Sequence, residues 1–491
     1  MGREEQIINE RKRKLEEIKE LGINPFPANS EKKQTCEECL KIKIGREVIT
    51  AGRLMTKRDL GKIAFSVLKD GTGEIQIVLQ DGETDNEKRK FFKKYLDAGD
   101  FVEVKGKVFK TKTEQISILV SDIKILTKSI LPLPEKFHGI KNEEERFRKR
   151  YLDILTDNSI REMLLKKTKF WKVTRDFMEK KGFVEVDTPV LEVTTGGADA
   201  RPFITHHNDF DIDVYLRISV GELWQKRLMA AGFEKTFEIG KVFRNEGSSP
   251  EHLQEFTNME FYWAYANYKD GMNLTKELYR EIAKEVFETT KFESKGHTFD
   301  LADEWIEIDY QKHILEKTGI DILNTDVDEM KDKLKELNVK YGEENKERLI
   351  DSLWKYCRKD ISGPAFLVNE PKSMSPLAKS KKDNPELTER FHILIAGSEI
   401  GNGYSELNDS HDQRERFEKQ QEMRNKGDDE AQMADYEFIE MLEHGMPPVC
   451  GFGFGERLFS VLMNKSIREC QTFPLMRPEE VEGKKKEKKK K

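Results

Sequence analysis

The chain has 491 residues, enough for two or more domains, and its 86 Lys and Arg against 92 Asp and Glu give a formal net charge of −6. That balance excludes a general binder of polyanions, so any contact with nucleic acid must come from local basic patches. We expect a cytoplasmic protein with no membrane span, because no apolar run approaches ~20 residues, the first residues are charged, and the five cysteines form an odd set.

The N-terminal segment, residues 1–46, begins with a predicted charged helix over residues 4–21 that ends at Gly22. Its isoleucines and leucines recur near helical spacing, which indicates one face packed against another element. A basic strip from Arg11 to Lys14 leaves two interpretations open. The helix is either a solvated cap on the next domain or a contact for RNA.

Residues 47–130 contain five short strand-like runs with glycine-bearing turns, a pattern typical of a small closed β-barrel of the OB type. Such barrels bind single-stranded bases on one sheet face, and Arg58, Phe65 and Gln76 are predicted to lie together there. The alternation in residues 63–67 leaves a second interpretation open, in which Phe65 belongs to the barrel core.

Residues 131–150 include LPLPEKFHG and predict a linker to a second domain over residues 151–478. A helix over residues 159–181, capped by Gly182, precedes the strand FVEVDTPVL, which contains Pro189. Residues 302–355 predict a mostly helical insertion, and residues 479–491 predict a disordered basic tail. Strands in uneven alternation with helices predict an α+β domain, in which helices flank an antiparallel sheet.

Residues 237–265, FEIGKVFRNEGSSPEHLQEFTNMEFYWAY, predict a strand, a loop and a second strand. Alternation gives the second strand an apolar face and an opposite face that is polar and aromatic. The apolar face is Thr257, Met259, Phe261, Trp263 and Tyr265, and the opposite face is Phe256, Asn258, Glu260 and Tyr262. Arg244 and Glu246 end the first strand and His252 lies in the loop. This surface suits a nucleoside triphosphate, and the alternative is an amphipathic hairpin with a solvated polar face.

The second domain resembles the class II aminoacyl-tRNA synthetases. The long helix with FVEVDTPVL resembles motif 1, FRNEG through EFTNMEFYWAY resembles motif 2, and GFGFGERLFSVL with RECQTFPLMRP resembles motif 3. GGADARPFITHHN (196–208) and SEIGNGYSELND (398–409) resemble the lysine-specific members of bacterial and eukaryotic type. The resemblance runs from the N-terminal helix to Pro478, and five segments in the family order make it very specific.

The resemblance implies ATP-dependent activation of L-lysine to lysyl-adenylate, then transfer to the 3′-terminal adenosine of tRNA(Lys). It also implies Mg²⁺ and a homodimer formed through the motif 1 region around Pro189. In the barrel it implies anticodon contacts from Arg58, Phe65 and Gln76, with Gln115 in place of an anticodon-reading Glu.

The resemblance also assigns roles within the second domain. Arg244 and Arg457 are the expected catalytic residues, since a guanidinium fork serves two anionic oxygens at once. The lysine site is expected to comprise Gly197, Glu222, Tyr262, Asn402 and Glu406, with Glu222 at the α-amino group and Glu406 with Tyr262 at the ε-ammonium. The ATP site is expected to comprise Arg244, Glu246, His252, Phe256 and Arg457, and Glu399 is the expected Mg²⁺ ligand.

Three positions depart from the family pattern. His392 stands where a metal-binding Glu is usual, and imidazole suits Mg²⁺ poorly, so we expect fewer ions or a shifted one. Glu251 replaces a usual Arg, which predicts a compensating cation, with the insertion as one source. Motif 3 is one residue short before Glu456, which leaves open which glycine faces ATP.

Two other functions remain open at this point. One is a relative that attaches a lysine-like group to a protein, although such relatives lack the barrel. The other is a catalytically silent RNA-binding relative. His392 and Glu251 are its only support. For Glu406 itself, the alternative is a helix-start carboxylate before a capping box at residues 410–413.

Overall fold

The computed structural model describes residues 2–134, 140, 142–198, 200–247, 249–342, 345–426, 431 and 433–478. Within these, one compact unit comprises residues up to 143 together with 151–156, and a second comprises 144–150 and residues from 157 onward. Residues 151–156, expected in the second domain, therefore pack with the first. The predicted tail and residues 135–139 and 141 of the predicted linker lie outside the described residues. No helix in the described ranges has the length and hydropathy to cross a bilayer.

The first unit is a barrel preceded by helices. Its elements are α1 (Arg3–Glu20), α2 (Cys36–Lys41), β1 (Glu47–Asp59), β2 (Ile63–Lys69), β3 (Glu74–Gln80), α3 (Asn86–Tyr95), β4 (Phe101–Lys110) and β5 (Ile116–Thr127). After the barrel come α4 (Glu143–Arg148), which belongs to the second unit, and α5 (Arg150–Thr156), which packs with the first. The five strands close in the order β1-β2-β3-β5-β4, with β3 parallel to β5. The predicted OB-type barrel is confirmed, because alternate strand residues such as Ala64, Leu68 and Ile77 fill one apolar core.

The second unit contains, besides α4, helices α6 to α14 and strands β6 to β18. In chain order they are α6 (Asn158–Lys180), β6 (Val184–Glu185), β7 (Leu191–Glu192), β8 (Phe203–His207), β9 (Ile212–Leu216), α7 (Glu222–Ala230), β10 (Lys235–Phe243), β11 (Glu255–Ala264), α8 (Tyr268–Ile282), β12 (Lys291–Ser294), β13 (His297–Asp300), β14 (Ile306–Asp309), α9 (Tyr310–Thr318), α10 (Val327–Glu336), α11 (Lys346–Cys357), β15 (Ala365–Val368), β16 (Arg390–Ile395), β17 (Ser398–Ser405), α12 (Ser410–Asn425), α13 (Tyr436–His444), β18 (Val449–Gly455) and α14 (Arg457–Leu462).

The main sheet has eight strands in the order β14-β15-β16-β17-β18-β11-β10-β6. Its six central strands are antiparallel, as expected, but the edge pairs β14/β15 and β10/β6 are parallel, so the sheet is mixed. The α+β class is confirmed. The segment expected to be an insertion supplies edge strand β14, and its helices α9 to α11 pack with β15 and β16 in one core cluster around Trp354 and Leu367.

The predicted hairpin is β10 and β11, paired from Lys235 opposite Trp263 to Phe243 opposite Glu255. Met259 and Phe261 are fully buried beneath the sheet, as the alternation predicts. The expectation for Tyr265 is wrong. β11 ends at Ala264, and Tyr265 takes a positive φ of 62° and is 73% exposed.

Candidate functional site

One cavity of about 500 Å³ lies over the central strands of the second unit. Its lining includes every residue that the sequence assigned to ATP, lysine or metal in this domain: Gly197, Glu222, Arg244, Glu246, His252, Phe256, Tyr262, His392, Glu399, Asn402, Glu406 and Arg457. These residues come from distant segments of the chain. The fold therefore gathers the acidic and the basic candidates around a single space.

The floor of the cavity is formed by β11 and β18. Phe256, Asn258, Glu260 and Tyr262 line the cavity from β11, and β18 pairs Gly451, Gly453 and Gly455 opposite the last three of them in reverse order. A Cβ at Gly453 would stand 2.8 Å from Glu260 Cγ, and one at Gly451 or Gly455 would collide with Glu406 or Asn258. All three alternate glycines of motif 3 therefore face the site, and each leaves room for a polar side chain.

Arg244 and Phe256 lie next to each other where β10 ends and β11 begins. The Arg244 guanidinium carbon is 5.3 Å from the centroid of the Phe256 ring. The Arg244 backbone N–H donates to Gln254 O at 2.8 Å, and its side chain donates to Ile218 O at 3.3 Å. These bonds hold the Arg244 guanidinium against the Phe256 ring. They also fix it over the cavity, where it can meet anionic oxygens.

His252 and Glu246 lie in the loop that joins the two strands. His252 Nδ1 is 2.8 Å from Ser249 Oγ. Partial burial and then the positive charge of Arg457 lower the pKa of His252 to about 4. The imidazole is consequently neutral at pH 7 and can contribute a hydrogen bond but not a charge. Glu246 O accepts from Gln254 Nε2 at 3.0 Å, which closes the loop.

A buried ammonium, Lys226 on α7, lies between Glu222 and Glu406. Its Nζ donates to Glu222 Oε1 at 2.8 Å and is 2.6 Å from Glu406 Oε2. Lys226 Nζ approaches Glu406 Oε2 at an angle that does not make a hydrogen bond. Among the described residues, this buried oxygen of Glu406 therefore accepts no hydrogen bond. Although burial opposes it, Glu222 and Glu406 raise the pKa of Lys226. Lys226 is therefore the resident counter-ion of two carboxylates.

Glu222 and Glu406, which we expected at the two ends of lysine, both contact the same nitrogen, Lys226 Nζ. Their division between the two ammonium groups of lysine stays a prediction. Tyr262 and Glu406, the expected pair at the ε-ammonium, both lie against Gly451, and the Tyr262 hydroxyl also donates to Glu260 at 3.3 Å. Gly197, as expected, stands by Glu222, because a Cβ there would be 2.8 Å from Glu222 Oε2.

The sequence interpretation missed Glu260 and Lys226 as site residues. Glu260 lies on the cavity face of β11 and accepts from the Val220 N–H at 2.7 Å. Burial, and then Glu222, raise the pKa of Glu260 to about 7, and burial raises the pKa of Glu406 to about 8. The position of Glu260 beside Tyr262 in the alternation was the available signal. For Lys226 the available signal was its position one helical turn after Glu222.

Asn402 and Glu406 are held by their own neighbours. Asn402 Oδ1 accepts from Arg390 Nε at 2.9 Å, which fixes the plane of the amide. The alternative that made Glu406 a helix-start carboxylate is wrong, because α12 is capped by Asp409, whose side chain accepts from the N–H groups of His411 and Asp412.

Glu399 and His392 occupy the region expected to bind metal. Glu399 accepts from the Trp354 indole N–H, and, although burial opposes it, His392 and Arg358 hold its pKa at about 2. His392 Nε2 is 2.8 Å from Glu370 Oε2, and its Nδ1 is 3.8 Å from Glu399 Oε2. In the described ranges no three acidic, His or Cys side chains form a metal-binding group. One ionised carboxylate still fits Mg²⁺, which takes most of its ligands from phosphate and water.

The cation expected to compensate Glu251 is Lys295, in the turn between β12 and β13. Lys295 Nζ forms an ion pair with Glu251 and donates to Ser398 Oγ at 2.8 Å. Although burial opposes it, Lys295 lowers the pKa of Glu251. The charge of Glu251 is thus neutralised from a hairpin and not from residues 302–355.

The barrel candidates lie on the outer face of the first unit. Arg58 on β1 is directly opposite Phe65 on β2, and Gln76 on β3 accepts from Ser117 Oγ at 3.0 Å. Phe65 is half-buried and does not belong to the core cluster, so the core interpretation is wrong. Gln115 is exposed in the turn before β5, two residues from Ser117.

Comparison with known proteins agrees with this geometry. Residues 142–477 match the family of class II tRNA synthetases (D, K and N), and residues 48–126 match the OB-fold nucleic acid binding domain. The chain is therefore a class II aminoacyl-tRNA synthetase with an OB-fold domain.

The relatives narrow the class further. The chain is 44% identical over 479 residues to the lysine–tRNA ligase of Thermosipho melanesiensis, which covers 95% of each chain. It is 42% identical over 484 residues to the enzyme of that name from Thermotoga maritima, which covers 96% of each. The identity to the lysine–tRNA ligase of Clostridium novyi is also 42%, and the match covers 96% of this chain and 94% of the relative. The chain belongs to the lysine–tRNA ligase family.

Proposed function

We infer that this chain activates L-lysine with ATP to lysyl-adenylate and transfers the lysyl group to the 3′-terminal adenosine of tRNA(Lys). The observation that carries this inference is the cavity in which Glu222, Glu260 and Glu406 lie together with Arg244. A family member with acidic residues at one end of the site and guanidinium groups at the other can bind a basic amino acid beside a triphosphate.

The charges in the acidic end match a diamine. Glu222, Glu260 and Glu406 carry three negative charges when ionised, and Lys226 supplies one positive charge. The deficit of two positive charges equals the two ammonium groups of L-lysine. An uncharged amino acid would leave buried carboxylates unpaired, which costs several kcal/mol, so the same charges that bind lysine exclude its neutral analogues.

The position of each carboxylate supports its role. Glu222 and Glu406 meet at Lys226 Nζ, and the Glu406 carboxylate can also accept from the ε-ammonium. Glu260 lies between Tyr262 and Phe256 along β11, nearer to Arg244, and can accept from the α-amino group. The lysine carboxylate would then lie between Arg244 and the Asn402 amide.

Adenylate formation needs orientation and charge stabilisation but no covalent enzyme nucleophile. Arg244 holds the lysine carboxylate and the α-phosphate together, so that the attacking oxygen and the leaving pyrophosphate are in line. Phe256 stacks on adenine and Glu246 accepts from its amine, while His252 and Arg457 contact the triphosphate. Mg²⁺ held by Glu399 and the phosphate oxygens would neutralise charge that develops on the leaving group.

A homodimer through the motif 1 region is part of the proposal. Val184, Val190, Leu191, Val193 and Ile204 surround Pro189 in sequence or in the adjoining small sheet, and each is at least 40% exposed. Clustered apolar exposure of this kind marks an interaction surface. Sedimentation velocity at micromolar concentration should give a dimer, and a monomer would contradict this part.

The outer face of the barrel supports anticodon binding by Arg58, Phe65, Gln76 and Gln115, since an aromatic ring between polar groups suits unstacked bases. A cytoplasmic location follows from the same function. ATP–pyrophosphate exchange that depends on lysine tests activation, and transfer of labelled lysine to tRNA tests the second step. Exchange without transfer to tRNA would favour a protein acceptor, and absence of both would favour a silent RNA-binding relative.

A further inference from the structure

One end of the cavity is bounded by α11 and the residue that follows it, Arg358. Arg358 lines the cavity and is the C-cap of α11, whose negative helix terminus favours a cation there. Its Nη1 is buried and makes no hydrogen bond to any described residue. A buried guanidinium N–H group without an acceptor is unusual, because buried donors are nearly always hydrogen-bonded.

The acidic side chains around Arg358 form their contacts with other groups, although the charge of Arg358 also lowers the pKa of Glu251 and of Glu399. Glu251 is paired with Lys295, and Glu399 accepts from the Trp354 indole. Asp351 forms a 2.6 Å ion pair with Lys355. Glu347, which also lines the cavity, lies three helical turns earlier in α11, ~16 Å along its axis. Positive charge at this end of the cavity is therefore in excess.

A second guanidinium lies close to the first. Arg457 donates from Nη1 to the backbone O of Glu399 at 3.2 Å, which leaves its charge without a carboxylate in that contact. Burial lowers the pKa of Arg457, and the neighbouring charges of Arg358 and Arg244 act in the same direction, while Glu251 opposes them. Like charges held together in a cavity are stabilised by an anion that offers several oxygens.

We propose that Arg358 binds the β- and γ-phosphate oxygens of ATP, and the same oxygens of pyrophosphate, through its unpaired Nη1. The proposal rests on the proposed function, in which ATP occupies this cavity with its α-phosphate at Arg244. Arg457 and Arg358 then follow Arg244 towards α11 as successive phosphate contacts. Arg358 lies three residues beyond the segment expected to be an insertion, at the end of the cavity where Glu251 has no positive charge to offer.

The test compares ATP with AMP, which lacks the two outer phosphates. Binding of each nucleotide and of L-lysine is measured by calorimetry, with Mg²⁺, for the wild type, Arg358→Gln and Arg358→Lys. Arg358→Gln should weaken ATP by about 10- to 100-fold, the range for hydrogen bonds to charged groups, and leave AMP and lysine within about twofold. The ATP affinity of Arg358→Lys should lie between those of the wild type and Arg358→Gln, because lysine keeps the positive charge but lacks the guanidinium fork.

Lys359→Gln is the matched control, since Lys359 is the exposed neighbour outside the cavity, and it should bind ATP like the wild type. Unchanged ATP affinity in Arg358→Gln, or an equal loss for ATP and AMP, would overturn the proposal. Thermal melting and lysine binding show whether each variant is folded. If Arg358→Gln does not fold, the proposal is tested by whether Arg358→Lys loses more affinity for ATP than for AMP. If the wild type exchanges pyrophosphate with lysine and Arg358→Gln does so equally well, this inference alone is refuted. If the wild type shows no exchange, the proposed function is refuted.

Discussion

Replacement of Glu406 by Gln changes one charge at the acidic end of the cavity and almost no volume. The amide oxygen should turn to Lys226, whose Nζ is 2.6 Å from Glu406 Oε2. The NH₂ group then faces the place of the ε-ammonium, so an acceptor becomes a donor. Lys226 also loses part of its counter-charge and repels the substrate.

The size of the effect follows from these two terms. A hydrogen bond to a charged group contributes ~1.5–3 kcal/mol, and one lost unit charge at 4 Å contributes up to ~4 kcal/mol near a protein surface. Because the buried carboxylate also costs desolvation when it ionises, we expect a net loss of about 3 kcal/mol, which is roughly 150-fold.

Steady-state ATP–pyrophosphate exchange with lysine and ATP varied in turn measures this loss. KM for lysine should rise roughly 150-fold, while KM for ATP changes by less than about threefold, because ATP binds at the other end of the cavity. Discrimination against norleucine, which lacks the ε-ammonium, should fall in the same variant. Equal increases in both KM values, or an unchanged KM for lysine, would refute the assignment of Glu406.

Three further predictions concern other parts of the account. Arg244→Ala should lose at least ~3 kcal/mol of transition-state stabilisation, seen as a fall in kcat/KM for exchange, and near-normal exchange would contradict its role. Phe65→Ala should lower kcat/KM for tRNA by the ~1–3 kcal/mol of one stacked base, with exchange unaltered because exchange needs no tRNA; equal loss in both assays would count against an anticodon contact. Since the pKa values of Glu260 and Glu406 in the free cavity are raised to about 7 and 8, both groups carry protons at lower pH that a diamine must displace. Lysine affinity should therefore rise with pH between about 6 and 8, by up to ~10-fold per pH unit for each proton released, and calorimetry in buffers of different ionisation enthalpy should show proton release; pH-independent binding would exclude this coupling.

The sequence predicted those parts of the site that depend on local order. Two-residue alternation in β11 correctly assigned Phe256 and Tyr262 to one face and Met259 to the other, because a strand offers only two sides. It failed at Tyr265, where the strand ends in a left-handed residue that alternation cannot anticipate.

Parts that depend on contacts between distant segments were not predictable. Glu222 and Lys226 are one helical turn apart and their pairing could be read from the chain. Their meeting with Glu406, some 180 residues later, depends on where β17 and α7 lie in the fold. For that reason the sequence did not predict that the two carboxylates share one counter-ion.

The compensating cation illustrates the same limit. A carboxylate at Glu251 beside a phosphate site requires a positive neighbour, and the sequence predicted that one exists. It could not tell which of many lysines would come near, and the partner is Lys295 in a two-stranded hairpin. Trp354 likewise reaches Glu399 only because α11 packs against the main sheet.

The most direct test of the acidic cavity is the exchange of pyrophosphate into ATP by the wild type with each of the twenty amino acids in turn. Three carboxylates with one resident ammonium predict exchange with L-lysine at least 100-fold above that with any neutral side chain, by the ~3 kcal/mol argued for a single unpaired buried charge. Comparable exchange with a neutral or acidic amino acid would show that the diamine does not balance this cavity, and the account would fail.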